Sequence, residues 1–143
     1  MNIARILSAL TLVAALSAPA FADSYPSKPI TIVIGSSAGS TTDGLARAIG
    51  QEITAETRVP VIVDSKPGAS GGIAAQAAAR APADGYTLFI TTNTTQAANP
   101  HLFRKLAYDP VKDFAPVGAL VKGYLLLVTN PSVKAQNLSL IHI

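Results

Sequence analysis

Cysteine and tryptophan are absent from the 143 residues, histidine occurs twice, and the single methionine is the first residue. Without cysteine there is no disulfide framework, no thiolate zinc site and no cysteine nucleophile. His101 and His142 have no partners at metal-ligand spacing, so neither a metal nor a histidine-based catalytic centre is expected. A nucleophile elbow and a Walker A lysine are both missing, and Gly35 and Gly39 do not complete a G-x-G-x-x-G fingerprint. No cofactor and no catalytic residue is therefore assigned. Charge is also sparse. Only 13% of residues are charged and the formal net charge is +3, too weak and scattered a balance for nucleic acid.

What is present begins with a leader. Residues 1–5 make a short basic start, residues 6–18 are almost continuously apolar, and Ala20-Phe21-Ala22 has the small-x-small form of a processing site. Cleavage is expected after Ala22, which predicts export to the periplasm. The apolar run falls short of the roughly 20 residues that span a bilayer. No later stretch is long and apolar enough to do so, and the mature chain is expected not to be membrane-embedded.

Ile30-Thr31-Ile32-Val33-Ile34 is short, β-branched and nearly unbroken in hydrophobicity, the pattern of a parallel strand buried on both faces. Leu45, Ala48, Ile49 and Ile53 then recur at helical spacing to about Thr57. A second strand is expected over 59–63, an alanine-rich helix over 73–80, and a third strand over 86–91. This β-α-β-α-β order predicts an α/β fold, a parallel sheet with helices on both faces. A short helix near His101-Leu102-Phe103, a turn at Tyr108-Asp109-Pro110, and further strands over 114–120 and 124–129 complete the reading.

Three loops follow the carboxyl ends of the three strands, at 35–42, 66–72 and 92–96, and in open α/β sheets ligands bind at that edge. The first offers Ser36, Ser37, Ala38, Gly39, Ser40, Thr41 and Thr42, whose amides and hydroxyls stand at the positive end of the following helix. The third offers Thr92, Asn93, Thr94 and Thr95. Such groups suit an anion, most simply a carboxylate. Plainer roles compete. Ser40 and Asp43 fit a capping box, Gly68, Gly71 and Gly72 read as turn formers, and the threonines and Asn93 can cap or turn the chain.

Three segments together resemble the Bug family of tripartite tricarboxylate transporter substrate-binding proteins. They are Gly35-Ser36-Ser37-Ala38-Gly39-Ser40-Thr41-Thr42-Asp43, then Lys66-Pro67-Gly68-Ala69-Ser70-Gly71-Gly72 with Pro82-Ala83-Asp84-Gly85-Tyr86, and Asn99-Pro100 followed by Tyr108-Asp109-Pro110-Val111-Lys112-Asp113-Phe114. The resemblance covers residues 25–133. It implies a periplasmic-binding-protein-like receptor of two α/β lobes that closes on a small organic carboxylate and delivers it to membrane permease subunits. It also implies that main-chain amides and hydroxyls of the first and third loops hold the ligand. Gly35, Ser36 and Ser37 stand where the family commonly has proline, an aromatic and a second proline, so solute identity does not carry over.

By this resemblance residues 23–122 form a first lobe and 123–143 begin a second, while 139–143 drift from the family pattern and read as non-native sequence. A chain without its second lobe is expected to leave apolar residues 124–128 uncovered and to lack carboxylate binding. A hydrolase or isomerase on the same scaffold is the rival from another class, separable by turnover. A solute-sensing adaptor shares the binding chemistry and differs in its partner.

Overall fold

The computed structural model describes residues 24–124, 126, 128 and 130–133. The expected leader at 1–22 and the tail at 139–143 lie outside the described residues. Five elements alternate: β1 (Ile30–Ile34), α1 (Thr41–Thr57), β2 (Val61–Ser65), α2 (Gly72–Ala79) and β3 (Thr87–Ile90). A π-helical turn at Thr94–Ala98 and a short α3 (Asn99–Leu102) follow.

The sheet runs in the order β2-β1-β3, with both pairings parallel. Connection β1-α1-β2 moves outward, and β2-α2-β3 returns across β1 to its far side. Right-handed crossovers in opposite directions place the two helices on opposite faces of the sheet. In agreement, α1 packs on β1 and β2, whereas α2 packs on β1 and β3. The expected α/β architecture is thus observed, and β1 has become the central strand that its apolar run implied.

Ile32, Ile34 and Ala46 are buried where α1 meets the sheet, with Ile49, Val61, Val63, Leu88 and Ile90 around them. On the other face Ala74 and Ala75 of α2 are buried as well. Small side chains there let the helix approach closely, and a β-carbon on Gly35 would stand only 2.8 Å from the Gly71 Cα. Beyond β3, Phe114 stacks 5.6 Å from Phe89 and extends that face.

The ends of β2, α2 and β3 differ from the sequence reading by one or two residues, and one expected strand is missing. β2 begins at Val61 instead of Val59, because Pro60 has no N–H and contributes only its carbonyl, which accepts from Ile30 N at 3.1 Å. The strand expected over 114–120 is not formed: past Phe114 the chain has no ladder partner among the described residues. Val117 is 94% exposed. Hydrophobicity alone does not make a strand where no sheet edge runs alongside. Of the strand expected over 124–129, residues 125, 127 and 129 lie outside the described residues.

The burial pattern predicts unequal costs for similar deletions. Ile32→Ala, at a fully buried position, should lower stability by about 2–5 kcal/mol. Ile62→Ala, on the exposed side of β2 at 54% exposure, should change it by no more than about 0.5 kcal/mol. Urea unfolding compares them directly, and equal losses would contradict the assigned core.

Candidate functional site

Because β1 and β3 are neighbours whose following loops depart to opposite faces, a crevice opens between their carboxyl ends. This is the topological switch point at which open α/β sheets bind ligands. A cleft of about 260 Å³ lies there, lined by Gly35, Ser36, Thr42, Ser70, Gly71, Ile90, Thr91, Thr92, Thr94 and Thr95. Seven of these ten carry hydroxyls and none is charged.

The first wall comes from the β1-α1 loop. Ser40 caps α1 by accepting from Asp43 N at 3.2 Å, and its hydroxyl donates to Ser36 Oγ at 2.9 Å. A chain of donors therefore runs from the helix amide through Ser40 to Ser36, leaving the Ser36 proton free to point at an acceptor. Thr41 and Thr42 occupy the first two helical positions, whose N–H groups have no intrahelical acceptor. Asp43 is 4% exposed and accepts from Gly39 N at 2.9 Å and from Arg47 Nε at 3.0 Å. The capping box expected of Ser40 and Asp43 is present, with Gly39 in place of Ser40 as the amide that the carboxylate reaches. Arg47 and the Gly39 amide hold the Asp43 carboxyl below its usual 3.8. They also offset a negative charge that would otherwise repel an anion at the helix end.

The other walls come from the loops after β2 and β3. Thr95 is buried, and its hydroxyl donates to the Ser70 carbonyl at 3.0 Å. That hydroxyl is committed to holding two loops together. Thr91 Oγ1 is enclosed in the wall and has no hydrogen-bond partner among the described residues. Asp43 Oδ1, Gln96 Oε1 and Asn99 Oδ1 are enclosed without a partner in the same way.

Of the residues expected from sequence, the structure brings Ser36, Thr42, Thr92, Thr94 and Thr95 together around the cleft. Ser40 sits one step behind Ser36. Ser37, Ala38, Gly39, Thr41 and Asn93 are exposed and outside the lining, although the Thr41 amide faces the helix end. Gly35, Ser70, Gly71, Ile90 and Thr91 line the cleft without having been singled out. Ser70 and Gly71 were foreshadowed by their place after the second strand. No group of three or more His, Cys, Asp or Glu side chains able to hold a metal exists among the described residues.

A parallel sheet with a cleft at its strand ends places this chain among open α/β folds, in which ligands bind at that edge. The sequence profile described as "Tripartite tricarboxylate transporter family receptor" matches residues 45–141. BugT of Bordetella pertussis is 33% identical over 142 residues, which cover 96% of this chain and 44% of BugT. MatC (Rpa3494) from Rhodopseudomonas palustris, solved with bound malate, superposes with a TM-score of 0.61 at 39% identity, covering 65% of this chain and 32% of MatC. Rpa4515 of R. palustris, solved with adipate, gives 0.58 at 38% identity, covering 60% and 29%. The chain belongs to the tripartite tricarboxylate transporter receptor family, as its three loop segments indicated. It spans less than half the length of the curated relatives it matches. Among the described residues, no helix is long and apolar enough to cross a membrane.

The lowered Asp43 pKa gives a pH prediction. A carboxyl with a depressed folded pKa adds stability that is fully present above its unfolded value and is lost as pH falls through the folded one. Asp43→Asn should therefore lower stability at neutral pH and flatten the acid-side decline below about pH 4. Urea midpoints measured from neutral pH downward test this. A variant retaining the full acid-side slope would contradict it.

Proposed function

We propose that the protein is an extracytoplasmic receptor that captures a small organic carboxylate, without changing it chemically, for the permease of a tripartite tricarboxylate-type transporter. In this reading residues 1–22 direct export and are removed, and the mature chain works in the periplasm. The observation that carries the proposal is the switch-point cleft itself, which is lined mainly by hydroxyl-bearing residues, with the α1 N-terminus at one wall and no charged lining side chain. Backbone amides and hydroxyls at a helix N-terminus suit an anion. Carboxylates bound to MatC and Rpa4515, at 39% and 38% identity, support the ligand class.

In this assignment Ser36 and Thr42 donate their hydroxyl protons to the carboxylate oxygens, and the Thr41 and Thr42 amides supply the helix-end contribution. Thr92 and Thr94 approach from the β3 side. Charge selection then comes from aligned dipoles instead of a lysine or arginine. Such a site can bind and release without a deep ion pair to break.

Calorimetry on the protein at its natural full length, against malate, adipate and a tricarboxylate, tests the reading. Saturable binding with recovery of unchanged ligand is expected. Ser36→Ala and Thr42→Val should each weaken binding by about 1.5–3 kcal/mol where a hydrogen bond to a charged oxygen is lost. Ser37→Ala, outside the lining, should leave it unchanged. Chemical conversion of the ligand, or equal losses at all three positions, would overturn the proposal.

A further inference from the structure

Four consecutive residues in the loop after β2 have positive φ: Gly68 at 124°, Ala69 at 49°, Ser70 at 52° and Gly71 at 82°. The two glycines take such angles freely, but Ala69 and Ser70 carry a Cβ that opposes the left-handed region. Gly71 N donates to the Gly68 carbonyl at 3.0 Å and closes the segment into a left-handed turn. Local sequence does not account for this hand at Ala69 and Ser70. Tertiary contacts must impose it, and strain that persists in this way clusters where a site is being shaped.

The contacts converge on one atom. The Ser70 carbonyl accepts from Thr95 Oγ1 at 3.0 Å and from Asn99 Nδ2 at 3.1 Å. Asn99 is fully buried, and its amide also donates to the Tyr108 hydroxyl at 3.2 Å. Tyr108, 7% exposed, donates its own proton to the Thr95 carbonyl. Its ring meets Phe114 edge-on at 6.2 Å, which fixes the direction of the hydroxyl. Thr95 thus holds Ser70 while Tyr108 holds Thr95, and Asn99 bridges both. A β-carbon at Gly71 would overlap the Thr95 hydroxyl, so the turn and the π-helical segment are pressed together as well as bonded.

Ser70, Gly71 and Thr95 line the cleft, whereas Asn99 and Tyr108 do not. We infer that Tyr108 and Asn99 are positioning residues that clamp the left-handed turn and so set the ligand-binding wall formed by Ser70 and Gly71. Released from the clamp, Ala69 and Ser70 would relax toward the right-handed region, rotating the Ser70 carbonyl and withdrawing that wall from Ser36 and Thr42. Affinity is then a property of residues that never touch the ligand. The inference rests on the proposed carboxylate site for its binding readout, but the clamp itself has a readout independent of any ligand.

Tyr108→Phe is the informative change, since it removes one donor and one acceptor while keeping the ring against Phe114. Titration of the full-length protein with malate and adipate should show an affinity about tenfold weaker, the loss of roughly one hydrogen bond's worth of wall positioning. Ile32→Val, which removes a methyl from the α1 side of the core, serves as a control: whatever it does to the melting temperature, it should leave affinity unchanged. Adding Ala69→Gly to Tyr108→Phe should restore part of the affinity, because glycine takes the left-handed angle without strain. Independently of ligand, hydrogen exchange at the Gly71 amide should speed about tenfold in Tyr108→Phe and slow again in the double variant. Unaltered Gly71 exchange, or no recovery on adding Ala69→Gly, would overturn the inference. Absence of carboxylate binding in the unaltered protein would instead remove the functional reading, leaving the exchange experiment to decide the clamp.

Discussion

The parallel pairing of β1 with a strand on each side governs the rest of the structure. Once β2 has formed on one side and β3 on the other, the chain must reverse direction across the sheet, and its two helices must lie on opposite faces. The loops leaving Ile34 and Ile90 then diverge, so neither fills the space between the strand ends. Close approach elsewhere preserves that space. Gly35 and Gly71 leave no room for a side chain between them, and the α2 face is built from alanine, so the second loop is drawn up to the strand end as a third wall.

Polar groups around the cleft divide into those consumed by the architecture and those left open. The hydroxyls of Thr95 and Tyr108 and the amide nitrogen of Asn99 are spent on tying loops together, and the Ser40 hydroxyl is spent within its own loop. Ser36, Thr91 and the first amides of α1 retain theirs. The cleft therefore combines a hydrogen-bonded frame with lining groups, Ser36 among them, whose donors remain open. Asp43 fits the same division: its charge is neutralised by Arg47 and the Gly39 amide, so it caps the helix without dominating the potential.

Sequence disclosed the elements whose signals are local. The unbroken apolar run of β1, the helical spacing of Leu45, Ala48, Ile49 and Ile53, and the Ser40-Asp43 box each needed only their own neighbours to be read. So did the position of the candidate loops, which follows from strand ends in a parallel sheet. Ser70 and Gly71 were legible as members of the second loop, but that they and Thr91 line the cleft depends on how close two loops come in space. The left-handed turn at Ala69 and Ser70 runs against local propensity and was invisible for that reason. Residues 114–120 misled in the opposite direction: an apolar, strand-like composition said nothing about whether a partner edge was at hand.

The proposed seat of a small carboxylate is the switch point, against the α1 N-terminus. Its most direct test is the response of backbone amide nitrogen and proton shifts to titration with malate and adipate in the full-length protein. The largest saturable changes are expected at Ser36, Thr41, Thr42, Thr91 and Thr92, with the outer face of α1 around Glu52 and Glu56 silent. Saturable changes centred away from the β1 and β3 strand ends would contradict it.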